Sequence, residues 1–106
     1  MKVLAASLEN IDAAAMRKLI DQLRNQLGSS VVVLASADAG TVRVAAGVSK
    51  DLIARIQAGN LVNFVAQQVG GKGGGRPDFA QAGGSQPENM ENALATVAPW
   101  VRDNTG

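Results

Sequence analysis

A run of glycines holds the residues of this 106-residue chain that are best suited to chemistry. Five of the six positions from 70 to 75 are glycine, Lys72 lies inside the run and Arg76 follows it. Ordering so many glycines is entropically costly, which indicates that the backbone approaches something closely or adopts positive φ angles. Consecutive exposed N–H groups can form anion-binding concavities, and an arginine fork donates two bonds to one phosphate. The run therefore predicts a phosphate-binding loop formed by Lys72, Gly73, Gly74, Gly75 and Arg76.

Two common phosphate motifs do not fit this segment. The Lys-Ser/Thr pair of a nucleotide P-loop is missing, and Pro77 with a predicted strand follows where a dinucleotide-binding turn would open a helix. A flexible connection with a solvated lysine is the alternative that the residues alone leave open.

Further candidates for contact with a phosphate-bearing ligand lie outside the run. Arg17, Lys18 and Arg24 share one predicted helix, where they are candidate secondary contacts, although charged helix faces are usually just solvated. Gln81 carries an amide that serves either in ligand contact or at an exposed strand position. Unpaired bases stack on aromatic side chains, but in a small domain aromatic residues belong more often to the core; the aromatic residues are Phe64, Phe79 and Trp100.

The composition excludes several kinds of site. The chain has no cysteine and no histidine, so a disulfide framework, a thiolate metal site and the commonest general base are all excluded. No pair of carboxylates suggests acid–base work. We therefore expect no catalytic residue, no metal and no cofactor in this chain. The absence of a long apolar run predicts a cytoplasmic protein without a membrane segment.

The charges are unevenly distributed although the net charge is only +1. Eight basic and three acidic residues give residues 13–77 a net charge of +5, whereas residues 78–106 carry −3. A basic middle with an acidic tail is typical of a protein with one side that faces an anion, although scattered charges that maintain solubility would give the same count.

The elements that must position these residues alternate between strands and helices. Asp12 is a predicted N-cap and Gly28 a predicted C-terminal stop for a helix over 13–27. Pro99 predicts a kink or a stop near Ala98 in the last helix. The other predictions are a strand at 2–8, a hairpin of 31–36 with 41–47, helices at 49–57 and 60–69, a strand at 79–82, a turn at 83–85 and a helix that starts at Pro87. This order, roughly β-α-β-β-α-β-α, predicts a single α/β (α+β) domain over 1–106, with helices packed on a mixed sheet in two layers.

Three segments carry a resemblance to a known family. Residues 69–84 read VGGKGGGRPDFAQAGG, residues 58–62 read AGNLV, and a predicted hairpin leads into SKDL at 49–52. The chain resembles, over nearly its whole length, the DHH-associated domain at the C-terminus of alanyl-tRNA synthetases. The same module, with a glycine-rich loop ending in Arg or His, follows the catalytic domain of DHH-type phosphoesterases, and residues 74–84 favour the synthetase branch.

The resemblance implies a function that the spacing alone does not. It implies a C-terminal fragment of a larger alanine–tRNA ligase that holds the tRNA elbow and helps aminoacylation and editing cooperate, without a catalytic site of its own. It implies tRNA and the catalytic and editing domains of the parent enzyme as partners, and a homodimer formed through helices upstream of this chain. The alternative is the phosphate- or nucleotide-gripping C-terminal domain of a DHH-type phosphoesterase.

Overall fold

The computed structural model describes residues 2–105. These residues form five strands and four α-helices, together with two short 3₁₀ segments, Lys50–Leu52 and Pro87–Asn89. In chain order the strands and α-helices are β1 (Lys2–Leu8), α1 (Ala13–Leu27), β2 (Ser30–Asp38), β3 (Thr41–Val48), α2 (Ala58–Gln68), β4 (Lys72–Gly75), β5 (Phe79–Gly84), α3 (Met90–Ala95) and α4 (Val97–Thr105).

Local signals set the ends of α1, and the prediction for this helix is confirmed. The Asp12 carboxylate accepts a hydrogen bond from the Ala15 amide at 2.8 Å, which satisfies one of the free donors of the first turn. Gly28 ends the helix with φ of +74°, and its N–H donates to the Arg24 carbonyl at 3.0 Å.

The sheet is mixed, with strand order β1-β2-β3-β5-β4. β1 pairs with β2 in parallel, as the intervening helix allows, and the other three pairings are antiparallel. The predicted hairpin of β2 and β3 is confirmed. Its turn places Ala39 and Gly40 at φ of +50° and +81°, the double positive φ of a tight turn that follows the twist of the strands.

Helices cover both faces of this sheet, so the domain has three layers where two were predicted. The prediction of a mixed sheet with helices packed on it is confirmed. Alternate residues of β2 face opposite cores: Val32 and Leu34 pack with Met16 and Ile20 of α1. Val31 and Val33 belong to the larger core formed with α2, α3 and α4. A strand apolar at every position is buried on both sides, which requires a helical layer on each.

Four local predictions differ from the structure. The segment after Ser49 makes only a 3₁₀ turn, α2 begins at Ala58 rather than at Asn60, and Gly83 and Gly84 extend β5 instead of turning. The last helix breaks at Thr96. Pro99 then lies in the first turn of α4, where its missing N–H has no partner to lose.

Two classes of feature are missing from residues 2–105. None of their helices has the length and apolar character needed to cross a membrane. These residues also contain no group of three or more acidic, histidine or cysteine side chains placed to hold a metal ion.

Candidate nucleic-acid interface

The glycine run forms an edge strand rather than a loop. β4 pairs with β5 so that Lys72 lies opposite Gly83 and Gly74 lies opposite Gln81. Among the glycines of the run, only Gly70 has a positive φ, +75°. An anion-binding nest needs alternating backbone conformations, so the extended run does not form the predicted concavity of N–H groups. Its chemistry must come from the two faces of the ribbon that β4 and β5 form.

Toward α2, glycine is required by packing. A Cβ at Gly73 would lie 2.7 Å from the Ala82 Cα of β5. A Cβ at Gly75 would lie 2.8 Å from the Ala80 Cβ, on the same strand. On α2, a Cβ at Gly59 would lie 3.0 Å from the Gly75 carbonyl oxygen. Gly59 therefore allows α2 to approach β4 closely, whereas a side chain at Gly73 or Gly75 would clash with β5 within the ribbon.

The opposite face carries glycines that packing does not require. A Cβ at Gly74 would meet no atom within 4 Å, and one at Gly83 would meet only the Val42 carbonyl oxygen, at 3.5 Å. Neither residue has a positive φ, so either position would accept an L side chain. We call this surface the open glycine face and define it by Lys72, Gly74, Gln81 and Gly83. A ligand can approach the strand backbone closely there.

Lys72 and Gln81 are the two residues of this face whose side chains were predicted to contact a ligand. Lys72 and Gln81 are exposed. The Gln81 amide donates a long 3.3 Å hydrogen bond to the Ala13 carbonyl at the start of α1, and both residues line a groove between α1 and the sheet. The structure therefore brings Lys72, Gly74 and Gln81 onto one surface, and it places Gly73 and Gly75 on the other face of the ribbon.

Arg76 lies in the turn between β4 and β5. Its backbone N–H donates to the Phe79 carbonyl at 3.0 Å, and its guanidinium lies 3.6 Å from the Asp78 carboxylate. The Arg76 side chain is 64% exposed, so this ion pair is weak and the guanidinium is available to a ligand.

The three basic residues of α1 have different environments. Arg24 donates to the carbonyls of Val48 and Asp78 at 3.2 and 3.0 Å, and to the Asp21 carboxylate at 2.6 Å. These contacts fasten α1 to the sheet and leave the Arg24 guanidinium engaged within the protein. Arg17 lies over the ring of Phe79, 4.8 Å from its centroid, and remains exposed, as does Lys18.

The aromatic residues belong mainly to the cores. Phe79 is buried beneath α1, whereas Phe64 and Trp100 stack with their ring centroids 5.5 Å apart where α2 meets α4. The stacked pair of Phe64 and Trp100 packs against the larger core, on the side of the sheet away from the open glycine face. None of the three rings is presented on that face.

A second polar cluster lies near β2 and has a structural role. Asp51 accepts hydrogen bonds from the hydroxyls of Ser29 and Ser49 at 2.5 and 2.6 Å. These bonds, from Ser29 foremost, hold the pKa of the Asp51 carboxyl below its usual value, because they stabilise the charged form. The cluster ties the start of β2 to the segment after β3.

Sequence reasoning missed two residues of the interface, Arg43 and Gly83. Arg43 of β3 lies opposite Gly83 in the sheet register, so both residues face the same side of the sheet as Lys72 and Gln81. Arg43 is exposed and lines the groove beside α1. The alternation of residues in β3 predicts which side of the sheet Arg43 faces. Only the pairing register of the strands shows that Gly83 and Lys72 are its neighbours on that side.

Comparison with known proteins agrees with this architecture. Residues 1–103 match the DHHA1 domain family, and the chain belongs to that family. The fold is similar to a solved structure described as the C-Ala domain from Aquifex aeolicus alanyl-tRNA synthetase, with a TM-score of 0.83 and 30% identity. That match covers 97% of this chain and 91% of the solved one.

Relatives in sequence include alanine–tRNA ligases. The chain is 54% identical over 103 residues to that of Colwellia psychrerythraea and 59% identical over 101 residues to that of Methylibium petroleiphilum. These matches cover 97% and 95% of this chain but 12% of each relative. The resemblance drawn from the glycine motif is thereby confirmed, and the chain corresponds to a small part of its relatives' length.

Proposed function

We propose that this chain is the tRNA-holding C-terminal domain of an alanine–tRNA ligase. Whole-chain similarity to such ligases and to the C-Ala domain fold supports the assignment. The parent enzyme would join alanine to its tRNA with ATP in domains outside this chain. The domain itself would contribute binding, in the cytoplasm, and would bring the tRNA to the catalytic and editing domains.

The open glycine face is the observation that carries this proposal. Packing explains the glycines that face α2, but it does not explain Gly74 and Gly83. Glycine in a strand interior weakens the strand and often marks a close approach by a ligand or another backbone. The bare backbone at Gly74 and Gly83 allows a phosphodiester to lie close to the sheet, while Lys72 on the same face and the nearby Arg76 neutralise its charge.

The shape of this face favours a folded RNA over a particular base sequence. Its polar side chains are few, and structured RNA is recognised mostly through shape and backbone contacts. This arrangement fits contact with the outer elbow of a tRNA, where the RNA has a fixed shape. By holding that corner, the domain would let the aminoacylation and editing sites of the parent enzyme share one tRNA.

Binding to three RNA ligands tests the proposal. An alanine-accepting tRNA, an unstructured RNA of equal length and a dinucleotide would be titrated at two salt concentrations. We expect the tRNA to bind most tightly and its affinity to fall with salt, because phosphate contacts release counterions. Preference for the dinucleotide would instead favour the phosphoesterase-type alternative, and equal affinity for both long RNAs would contradict recognition of the tRNA shape.

Two variants locate the interface. Arg76→Ala should cost about 1.5–3 kcal/mol of binding free energy if its guanidinium donates a charged hydrogen bond to phosphate. Gly74→Leu should weaken tRNA binding about tenfold or more, because its side chain would hold the backbone away from the RNA. Ala98→Leu adds similar bulk at an exposed position of α4 and is the matched control. Unchanged affinity in both Arg76→Ala and Gly74→Leu would exclude this face as the RNA contact.

The predicted homodimer and the location of the parent enzyme stay predictions. The homodimer would form through helices upstream of this chain, and the parent enzyme would be cytoplasmic.

A further inference from the structure

Two cations flank a glycine in one row of the sheet. Arg43 of β3 lies opposite Gly83 of β5, and Lys72 of β4 lies opposite Gly83 from the other side. Directly opposed residues point to the same face, so the three residues form a row with Arg43 and Lys72 at its ends. The two cationic residues are separated by two strand spacings, about 10 Å between backbones, a gap that two long side chains leaning together can close.

The row has no acidic partner among residues 2–105. The ion pairs of these residues are Arg24 with Asp21 and Arg76 with Asp78, so neither Arg43 nor Lys72 has a carboxylate within 4.0 Å. Asp12 and Asp38 line a cleft that Arg43 also lines, but neither carboxylate lies within 4.0 Å of the guanidinium. Arg43 and Lys72 lie on either side of β5, so an anion above Gly83 would lie between the two cations.

Gly83 provides the space for such an anion. A Cβ at this position would make only an ordinary contact, with the Val42 carbonyl oxygen at 3.5 Å, so packing does not explain the glycine. Because β5 is hydrogen-bonded to strands on both sides, its backbone donors are used within the sheet. The donors available to a ligand are therefore the guanidinium of Arg43 and the ammonium of Lys72.

We propose that Arg43 and Lys72 together hold one phosphate group above Gly83. The guanidinium of Arg43 donates two bonds to the phosphate oxygens and the Lys72 ammonium adds a second charge. The phosphate is a phosphodiester of RNA, which rests on the proposed function, or a free phosphate monoester. The site adds Arg43, from a third strand, to the residues of the glycine run.

A double-mutant cycle with alanine-accepting tRNA tests whether one phosphate is shared. Arg43→Gln and Lys72→Gln are each expected to weaken binding about tenfold, and the double variant by clearly less than the product of the two effects. The slope of log affinity against log salt should fall by about 0.9 in the double variant, which corresponds to one phosphate. Arg102→Gln, at an exposed position of α4, is the matched control.

Three results separate this inference from the proposed function. Multiplicative effects with a slope loss of about 1.8 would mean two separate phosphates and would overturn the shared site. An unchanged affinity in the double variant, with tRNA bound by the wild-type chain, would overturn the site while leaving the proposed function intact. If the wild-type chain binds no tRNA, the proposed function fails and titration with inorganic phosphate decides the inference. A shift of the Gly83 amide resonance that disappears in the double variant supports the site, and no shift overturns it.

Discussion

Two adjacent glycines of β4 should respond in opposite ways to the same added methyl group. A Cβ at Gly73 would lie 2.7 Å from the Ala82 Cα and 2.8 Å from the Gln81 carbonyl oxygen, and closer still to the Ala82 methyl. Because the Ala82 Cα and the Gln81 oxygen are backbone atoms of β5, the two strands of the ribbon must move apart to admit the methyl group. Overpacking of this kind typically costs about 1–3 kcal/mol. At Gly74 the added methyl meets nothing within 4 Å, and the backbone has no positive φ. Gly74→Ala should therefore stabilise the fold by about 0.4–1 kcal/mol, through the reduced freedom of the unfolded chain.

Thermal and urea unfolding of the two variants, followed by circular dichroism, measure this contrast. The two effects together separate the variants by about 1.5–4 kcal/mol, and for a domain of this size each kcal/mol corresponds to about 4–8 °C in Tm. Gly74→Ala should melt at or above the wild-type temperature and Gly73→Ala well below it. Equal melting temperatures, or a Gly74→Ala variant less stable than Gly73→Ala, would refute the division of the glycines into a packed face and an open face.

Three further predictions concern the elements that support the interface. Arg24→Met should lower the free energy of unfolding by about 1.5–3 kcal/mol, because the guanidinium donates to two carbonyls and a carboxylate, whereas Arg102→Met should have little effect in the same urea titration. Ser29→Ala should raise the pKa of Asp51 in an NMR titration. Since the folded-state pKa of Asp51 is lowered, its contribution to stability is present above about pH 4 and is lost on further acidification. The Ser29→Ala variant should lose less stability than the wild type in that pH range. An unchanged pKa of Asp51 would contradict the role of Ser29. Trp100→Ala should destabilise the fold by about 3 kcal/mol through lost packing against α2, and a change below about 1 kcal/mol would show that the α4 contact is marginal.

Local signals account for the elements that were predicted well. Asp12 and Gly28 act within one turn of the helix that they bound, and the double positive φ at Ala39 and Gly40 is a property of the hairpin turn itself. The continuous apolar run in β2 already implied burial on both sides. A sheet with a helical layer on each face follows from that burial, but the predicted architecture of two layers did not use it.

The features that were missed depend on distant partners. β4 has almost no intrinsic strand propensity, because three of its four residues are glycine, and it forms only through pairing with β5 and close packing on Gly59 of α2. The row of Arg43, Gly83 and Lys72 depends on the register of three strands, which spacing along the chain does not reveal. Arg24 was grouped with Arg17 and Lys18 because helix periodicity gives a face, whereas its hydrogen bonds to Val48 and Asp78 are tertiary.

RNA contact at the open glycine face is tested most directly by mapping the backbone amide resonances. Alanine-accepting tRNA would be added to the isotope-labelled chain, and the shift or loss of each backbone signal recorded. We predict that the largest changes occur at Lys72, Gly74, Gln81 and Gly83, with little change in α3 and α4. Changes concentrated in α3 and α4, with the open glycine face unaffected, would contradict the claim.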